Sequence, residues 1–220
     1  MRISQQIGQC VPYARLFNVC TGVCLSLSLM AGTAQADWQL LPMESSLTFT
    51  STKNAAVTET HSFTGLNGVI KSQGSAEVTI PLASVETLIP IRNERLRVMF
   101  FETQTFPLAV VNAELALEPL LALSAGESMT QAVLLSINLR GISQTRAATL
   151  NVKRLAATDF QVTTVEPLLI DVADFGLVAG VEALLEVAGL KSITPIVPVS
   201  FSLNFRQVPV QLSTPAEVPF

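Results

Sequence analysis

The sequence predicts an all-β domain of antiparallel strands, either a two-sheet sandwich or a closed barrel. Three observations predict it. Apolar and polar residues alternate with a period of two in segment after segment, which puts every second side chain of an extended chain on one face. β-Branched residues are dense within those segments, while Gly, Asn and Pro collect between them. Apolar residues make up 49% of the chain and charged ones only 14%; beyond residue 36 no stretch is long and apolar enough to span a bilayer, so the fold has to bury that surface internally. Many strands in one domain are met by a sandwich or a barrel, and periodicity alone does not choose between them.

The first 36 residues have the layout of a secretory signal peptide. Arg2 and Arg15 form a basic leader, residues 19–31 an apolar run short of the roughly 20 residues that cross a bilayer, and Ala34-Gln35-Ala36 a small-x-small cleavage pattern. Cleavage after Ala36 would make Asp37 the first residue of a mature chain of 184 residues. That length suits one domain, burying about 70% of the unfolded chain's surface. Cys10, Cys20 and Cys24 all fall inside the leader, so the mature chain has no disulfide and no thiolate. Export without cysteines fits a bacterial periplasm better than a disulfide-stapled extracellular module.

The strands follow in order. Residues 38–41 open the domain, and Leu47 and Phe49 then alternate with Ser46, Thr48 and Thr50. Residues 68–71 form a further candidate, and Val78 and Ile80 alternate with Glu77 and Thr79. Pro90 suits a first helical turn, and a short helix is expected from there through Arg92, Arg95 and Leu96 to Phe100. Strands resume over residues 108–117, then over Leu135, Ile137 and Leu139, which alternate with Ser136, Asn138 and Arg140, then over residues 146–154 and 160–170. A second helix is predicted over residues 178–188, where Val181, Leu184, Leu185 and Ala188 recur at helical spacing and Gly189 provides the stop. The last strand alternates Val197, Val199, Phe201, Leu203 and Phe205 with Ser200, Ser202 and Asn204. The domain is thus expected over residues 37–206, followed by a flexible tail, residues 207–220, that carries Pro209, Pro215 and Pro219.

Composition removes several function classes. Without Arg2 and Arg15, 11 basic residues face 17 acidic ones, a formal charge of −6 with no Lys/Arg run, which disfavours nucleic acid and anionic membrane surfaces as partners. A Ser-His-Asp triad needs a histidine beside its nucleophile, and the chain has one, His61. Its neighbour Ser62 points to the opposite face of any shared strand, so a polar strand-end or loop histidine is the plainer reading. One histidine and no mature cysteine are too few ligands for zinc or copper. Asp171 and Asp174 are two loop carboxylates without further hard ligands, a pattern that water normally solvates.

Read in order, Trp38-x-Leu40-x-Pro42, Ser46-Leu47-Thr48-Phe49, Phe63-x-x-Leu66-x-Gly68 and Ser84-Val85-Glu86-Thr87 lead to Arg92-Asn93-Glu94-Arg95-Leu96-Arg97, Phe100-Phe101 and Phe106-Pro107. With Leu139-x-Gly141-Ile142-Ser143 and Asp174-Phe175-Gly176-Leu177 in the second half, this series resembles the YceI family over nearly the whole mature chain. It departs from the family in reading Arg92-Asn93-Glu94-Arg95-Leu96 for a common Arg-Asp-x-His-Leu, in Met99 for an Asp, and in Val111 for an aromatic residue. The resemblance implies an extended, lipocalin-like antiparallel barrel of about eight strands with one or two short helices, its apolar tunnel holding a polyisoprenoid or similar chain lipid.

On that reading the inward, ligand-lining residues are Leu47, Phe49, Phe63, Phe100, Phe101, Phe106, Leu135, Ile137, Phe160, Phe175, Val199 and Phe201, although any of the phenylalanines would equally serve as ordinary core. Arg92 and Arg95 share a helix face and have two open roles: contact with a ligand's polar head at the barrel mouth, or surface pairing with Glu86, Glu94 or Glu102. The expected function is a periplasmic lipid-binding protein, not an enzyme. Its partner is a long-chain apolar lipid, it needs no other cofactor or metal, and a homodimer is left open. The alternative is a structural or stress-response interaction protein with a solid-packed barrel.

Overall fold

The computed structural model describes residues 36–208. The expected leader up to residue 35 and the Pro-rich tail from residue 209 lie outside the described residues. The described chain forms twelve strands: β1 (Trp38–Leu40), β2 (Ser46–Lys53), β3 (Val57–Phe63), β4 (Asn67–Ile70), β5 (Ser75–Pro81), β6 (Val85–Glu86), β7 (Leu108–Glu114), β8 (Ser128–Leu139), β9 (Ile142–Arg154), β10 (Asp159–Thr164), β11 (Leu168–Asp171) and β12 (Ile196–Gln207). Three short helices accompany them, α1 (Pro90–Arg95), α2 (Leu117–Leu121) and α3 (Val178–Ala188).

Hydrogen-bonded neighbours run β1-β4-β5-β7-β8-β9-β10-β12, and β12 pairs again with β1. The sheet therefore closes as an eight-stranded antiparallel barrel, which decides between the two architectures that alternation leaves open. Closure removes the exposed strand edges that an open sheet would have to protect. The last strand runs one residue past the expected boundary: Gln207 pairs with Trp38, and Val208 N–H donates to the Asp37 carbonyl.

One end of the barrel is extended because β12 is long enough to take two partners on each side. On one flank it pairs first with β2 and then with β1, the two separated by a 3-10 turn at Pro42–Glu44. Asn204 and Ser45 tie this break in place: the Leu41 amide donates to the Asn204 carbonyl, the Asn204 amide to Ser45 Oγ, and Ser45 Oγ to the Leu41 carbonyl. On the other flank β10 gives way to β11 at residues 165–167. The single strand expected over residues 160–170 is thus two strands, with a register two residues out of step across the break; Pro167, which cannot donate to a ladder, sits in it. The strand expected over residues 108–117 likewise ends at Glu114, and Leu117 begins α2.

The narrow end is filled. Trp38 packs edge-on against Phe160 at 6.0 Å between ring centroids, and Leu40, Ile70, Val152 and Phe205 are buried with them. At the extended end β2, β3 and β11 rise beyond the ring, and α1 and α3 lie across the opening. The predicted start of α1 at Pro90 holds, and after Arg95 the helix widens into one π-helical turn, Leu96–Phe100. α3 spans the predicted residues and stops at Gly189, whose φ of 62° is the left-handed conformation that ends helices. It approaches the π turn closely at Gly180, where a Cβ would stand 3.1 Å from both the Met99 carbonyl oxygen and Phe100 Cα.

Candidate functional site: the barrel lumen

The lumen follows from the alternation of the strands. On β12, Val197, Val199 and Phe201 line a cavity of about 280 Å³, and Phe201, Leu203 and Phe205 line a second, deeper space of about 60 Å³. Leu47, Ile80, Val111, Leu135 and Phe201 border both spaces, so the two lie end to end along one axis. Ile137 and Leu139 of β8, Ile170 of β11, and Val181 and Leu184 of α3 complete the apolar wall of the larger cavity. Its volume lies near the lower end of the roughly 300–1,000 Å³ typical of small-molecule pockets.

The wall changes character toward the mouth. Side chains of β2 face inward in the order Leu47, Phe49, Ser51, Lys53, and all four line the cavity. Their partners on β3 are Phe63 opposite Leu47, His61 opposite Phe49 and Glu59 opposite Ser51. The deep rungs are therefore apolar and the outer ones polar. Phe49 packs at a tilt against both His61 and Phe63, with centroids 5.2 Å and 5.3 Å away, and Phe63 meets Phe101 edge-on at 5.7 Å. The rim is pinned by the β2–β3 turn, where Asn54 Oδ1 accepts from the Lys191 amide at 2.9 Å, the Asn54 amide donates to the Ser192 carbonyl, and the Thr194 amide donates to the Thr52 carbonyl.

His61 is 6% exposed and sits in mid-strand, not at a strand end or in a loop. Its Nε2 is 3.0 Å from Ser51 Oγ, and its Nδ1 is buried without a partner. Burial, and after it the neighbouring positive charge of Arg92, holds the imidazole below its ordinary range, so the ring is neutral at pH 7. Glu59 bridges Lys53 and Arg92, the latter at 2.7 Å; these two cations hold its carboxyl below the usual carboxylate range, Lys53 with the larger effect. Arg92 also donates to the Thr87 carbonyl at 2.8 Å. Arg95 lines the same cavity and makes no hydrogen bond or ion pair among the described residues. Asn93, buried at 5% exposure, organises the loop before α1: its Oδ1 accepts from the Thr87 amide at 2.8 Å and its Nδ2 donates to Glu86 at 3.0 Å. An aspartate at this position would face Glu86 with like charge.

The structure brings Leu47, Phe49, Phe63, Phe100, Phe101, Leu135, Ile137, Val199 and Phe201 together on the cavity wall, with Arg92 and Arg95 at its mouth. Phe106, Phe160 and Phe175 lie elsewhere, which corrects the expectation for them. Phe106 is covered by the Arg140 guanidinium, 5.4 Å from its centroid, while Arg140 also binds the Gly176 carbonyl and Glu102. Phe160 belongs to the filled narrow end, with the Arg154 guanidinium over its ring at 5.3 Å. Phe175 is fully buried behind the wall, and its neighbours Val172 and Leu177 reach the cavity in its place. Arg92 pairs with Glu59, a partner outside the three expected, whereas Glu94 and Glu102 are taken by Arg97 and Arg140. Asp171 caps the turn that follows β11 by accepting from the Ala173 amide, and Asp174 pairs with Arg146.

Among the described residues no acidic side chain lines the larger cavity, and no three His, Cys, Asp or Glu side chains group as a metal site. No described helix is long and apolar enough to cross a membrane.

A family model described as the YceI-like domain matches residues 38–205, all of the closed barrel but the last two residues of β12. Among solved structures, a polyisoprenoid binding domain from Saccharophagus degradans implicated in plant cell wall breakdown is 39% identical. It superposes with a TM-score of 0.76, the match covering 78% of this chain and 98% of that one. BcnA from Burkholderia cenocepacia, 18% identical with a TM-score of 0.59 over 75% of this chain and 98% of its own, shares the fold. No curated protein sequence matches this chain. With its barrel strands in the matched span and its lumen built from the residues that carried the resemblance, this chain belongs to the YceI-like family.

Proposed function

We propose that this protein binds a long apolar chain lipid, isoprenoid-like or fatty, inside the barrel and sequesters or carries it without chemistry. The observation that carries the reading is the graded lumen, apolar in its depth and polar only at the mouth. The Saccharophagus degradans relative, a polyisoprenoid binding domain by description, supports the same class of ligand. Each methylene moved from water into such a wall contributes about 0.8 kcal/mol. About ten buried carbons offer a gross ~8 kcal/mol, which exceeds association costs of ~4 kcal/mol at the lower end of their range. Long-chain binding of this kind needs neither a catalytic group nor a metal. The alternative of a structural or stress-response barrel requires a filled centre, and the 280 Å³ cavity speaks against it.

Export belongs to the same proposal. The basic leader, short apolar run and Ala34-Gln35-Ala36 support cleavage after Ala36 and work in a bacterial periplasm, and the acidic mature chain supports a lipid partner over nucleic acid.

The test is a series of straight-chain alcohols of increasing length, titrated against delipidated protein. Affinity should climb by at most about fourfold per carbon and then level off when the lumen is full. Affinity independent of chain length, or no binding at any length, contradicts the reading.

A further inference from the structure

What stands at the head of the bound chain follows from the barrel mouth, given the carrier role proposed above, on which this inference rests. The polar side chains that line the larger cavity are Ser51, Lys53, His61, Arg92, Arg95 and Thr194. Three of them are cations, and the acid that bridges two of these, Glu59, stands off the cavity wall and balances only one charge. The surplus is local: the chain as a whole carries a formal charge of −4. Donors are in surplus too. Arg92 Nε and His61 Nδ1 are buried without a partner, and Arg95 is uncommitted among the described residues. His61 Nε2 and Ser51 Oγ share a hydrogen bond of 3.0 Å, in which the ring tautomer decides the donor.

We propose that this end of the cavity is a subsite for an acceptor-rich anionic head, a carboxylate or phosphate monoester, on the end of the apolar chain. Buried donors and cations that lack partners are costly, and an anion satisfies several at once. An arginine fork matches the paired oxygens of either head, and hydrogen bonds to a charged acceptor are roughly twice as strong as those between neutral groups. A hydroxyl or ester head brings no compensating charge. The tail then runs inward past Phe49 and Phe63 toward Leu135 and Phe201, in the direction in which the wall becomes apolar.

Palmitate, hexadecyl phosphate and methyl palmitate, which share a chain of sixteen carbons (about the same apolar burial), test this on delipidated protein at neutral pH. One or both anions should bind about tenfold more tightly than the ester, and whichever does identifies the source of the head. The same titrations on the Arg95→Gln variant should bring the anions to within about threefold of the ester measured on that variant, and a cooperative thermal transition of the variant reports an intact barrel. Equal binding of ester and anions, or an advantage that survives Arg95→Gln, overturns the anionic subsite and leaves the carrier role standing. Failure of all three to bind overturns both.

Discussion

At the scale of single residues, the wall was legible wherever a side chain's direction followed from alternation with apolar neighbours. Leu47, Phe49, Val199 and Phe201 reached the lumen because their strands carry period two through the barrel. The same parity extends to Ser51 and Lys53, and from Phe63 back to His61, but polar residues on an inward face do not announce themselves by hydropathy. Phe106, Phe160 and Phe175 show the converse, since an aromatic ring near an apolar segment does not reveal whether a cation, a plug or a core will claim it. His61 gives this scale its prediction. Its imidazole is held below the ordinary value of 6.5, so on acidification the unfolded chain takes up a proton near that value that the folded ring refuses. The stability is full above pH 6.5 and falls as the pH drops through the folded value. Unfolding by urea across pH should show this decline, and His61→Phe should flatten it. The remaining loss then begins in the carboxylate range, where Asp37, Glu59, Glu86 and Asp159, each held low by its partners, become protonated.

At the scale of elements, α3 was readable from its helical spacing and its glycine stop, and the position of α1 from Pro90. β3 was not, because Val57–Phe63 has polar residues on both faces and its strand identity comes from seven rungs of pairing with β2. The break between β10 and β11 was equally hidden, with β12 pairing first one and then the other, whereas β1 and β2 were legible as separate strands. The contact of α3 with the π turn is the joint that closes the lumen, and it depends on the absence of a side chain at Gly180. Gly180→Val should lower stability by about 1–3 kcal/mol through overpacking, seen in thermal unfolding as a fall of roughly 2–4 °C per kcal/mol. The displaced Phe100 should also loosen the mouth and speed lipid release. Unchanged unfolding and release rates would show that the two elements do not bear on each other.

At the scale of the whole molecule, composition and strand count were enough for an all-β domain, and closure required long-range information. The decisive contact is between Trp38–Leu40 and Phe205–Gln207, the two ends of the folded span, and no local pattern announces that pairing. Once it forms, the inward residues of eight strands converge on one axis, and whether they meet or leave a lumen depends on side-chain volume. At the narrow end Trp38 and Phe160 meet. Further up, Ala109, Val111, Leu135 and Val199 border a space that stays open. The order of family motifs supplied in the sequence what local physics did not, and the matched residues 38–205 take in all of the barrel but the last two residues of β12.

Native mass spectrometry of the protein isolated gently from its own cells tests the central claim most directly. A single long-chain lipid should accompany each barrel, survive soft ionisation and disappear after organic-solvent extraction. A bare polypeptide mass, unchanged after incubation with chain lipids of any head, would contradict a lipid-holding lumen.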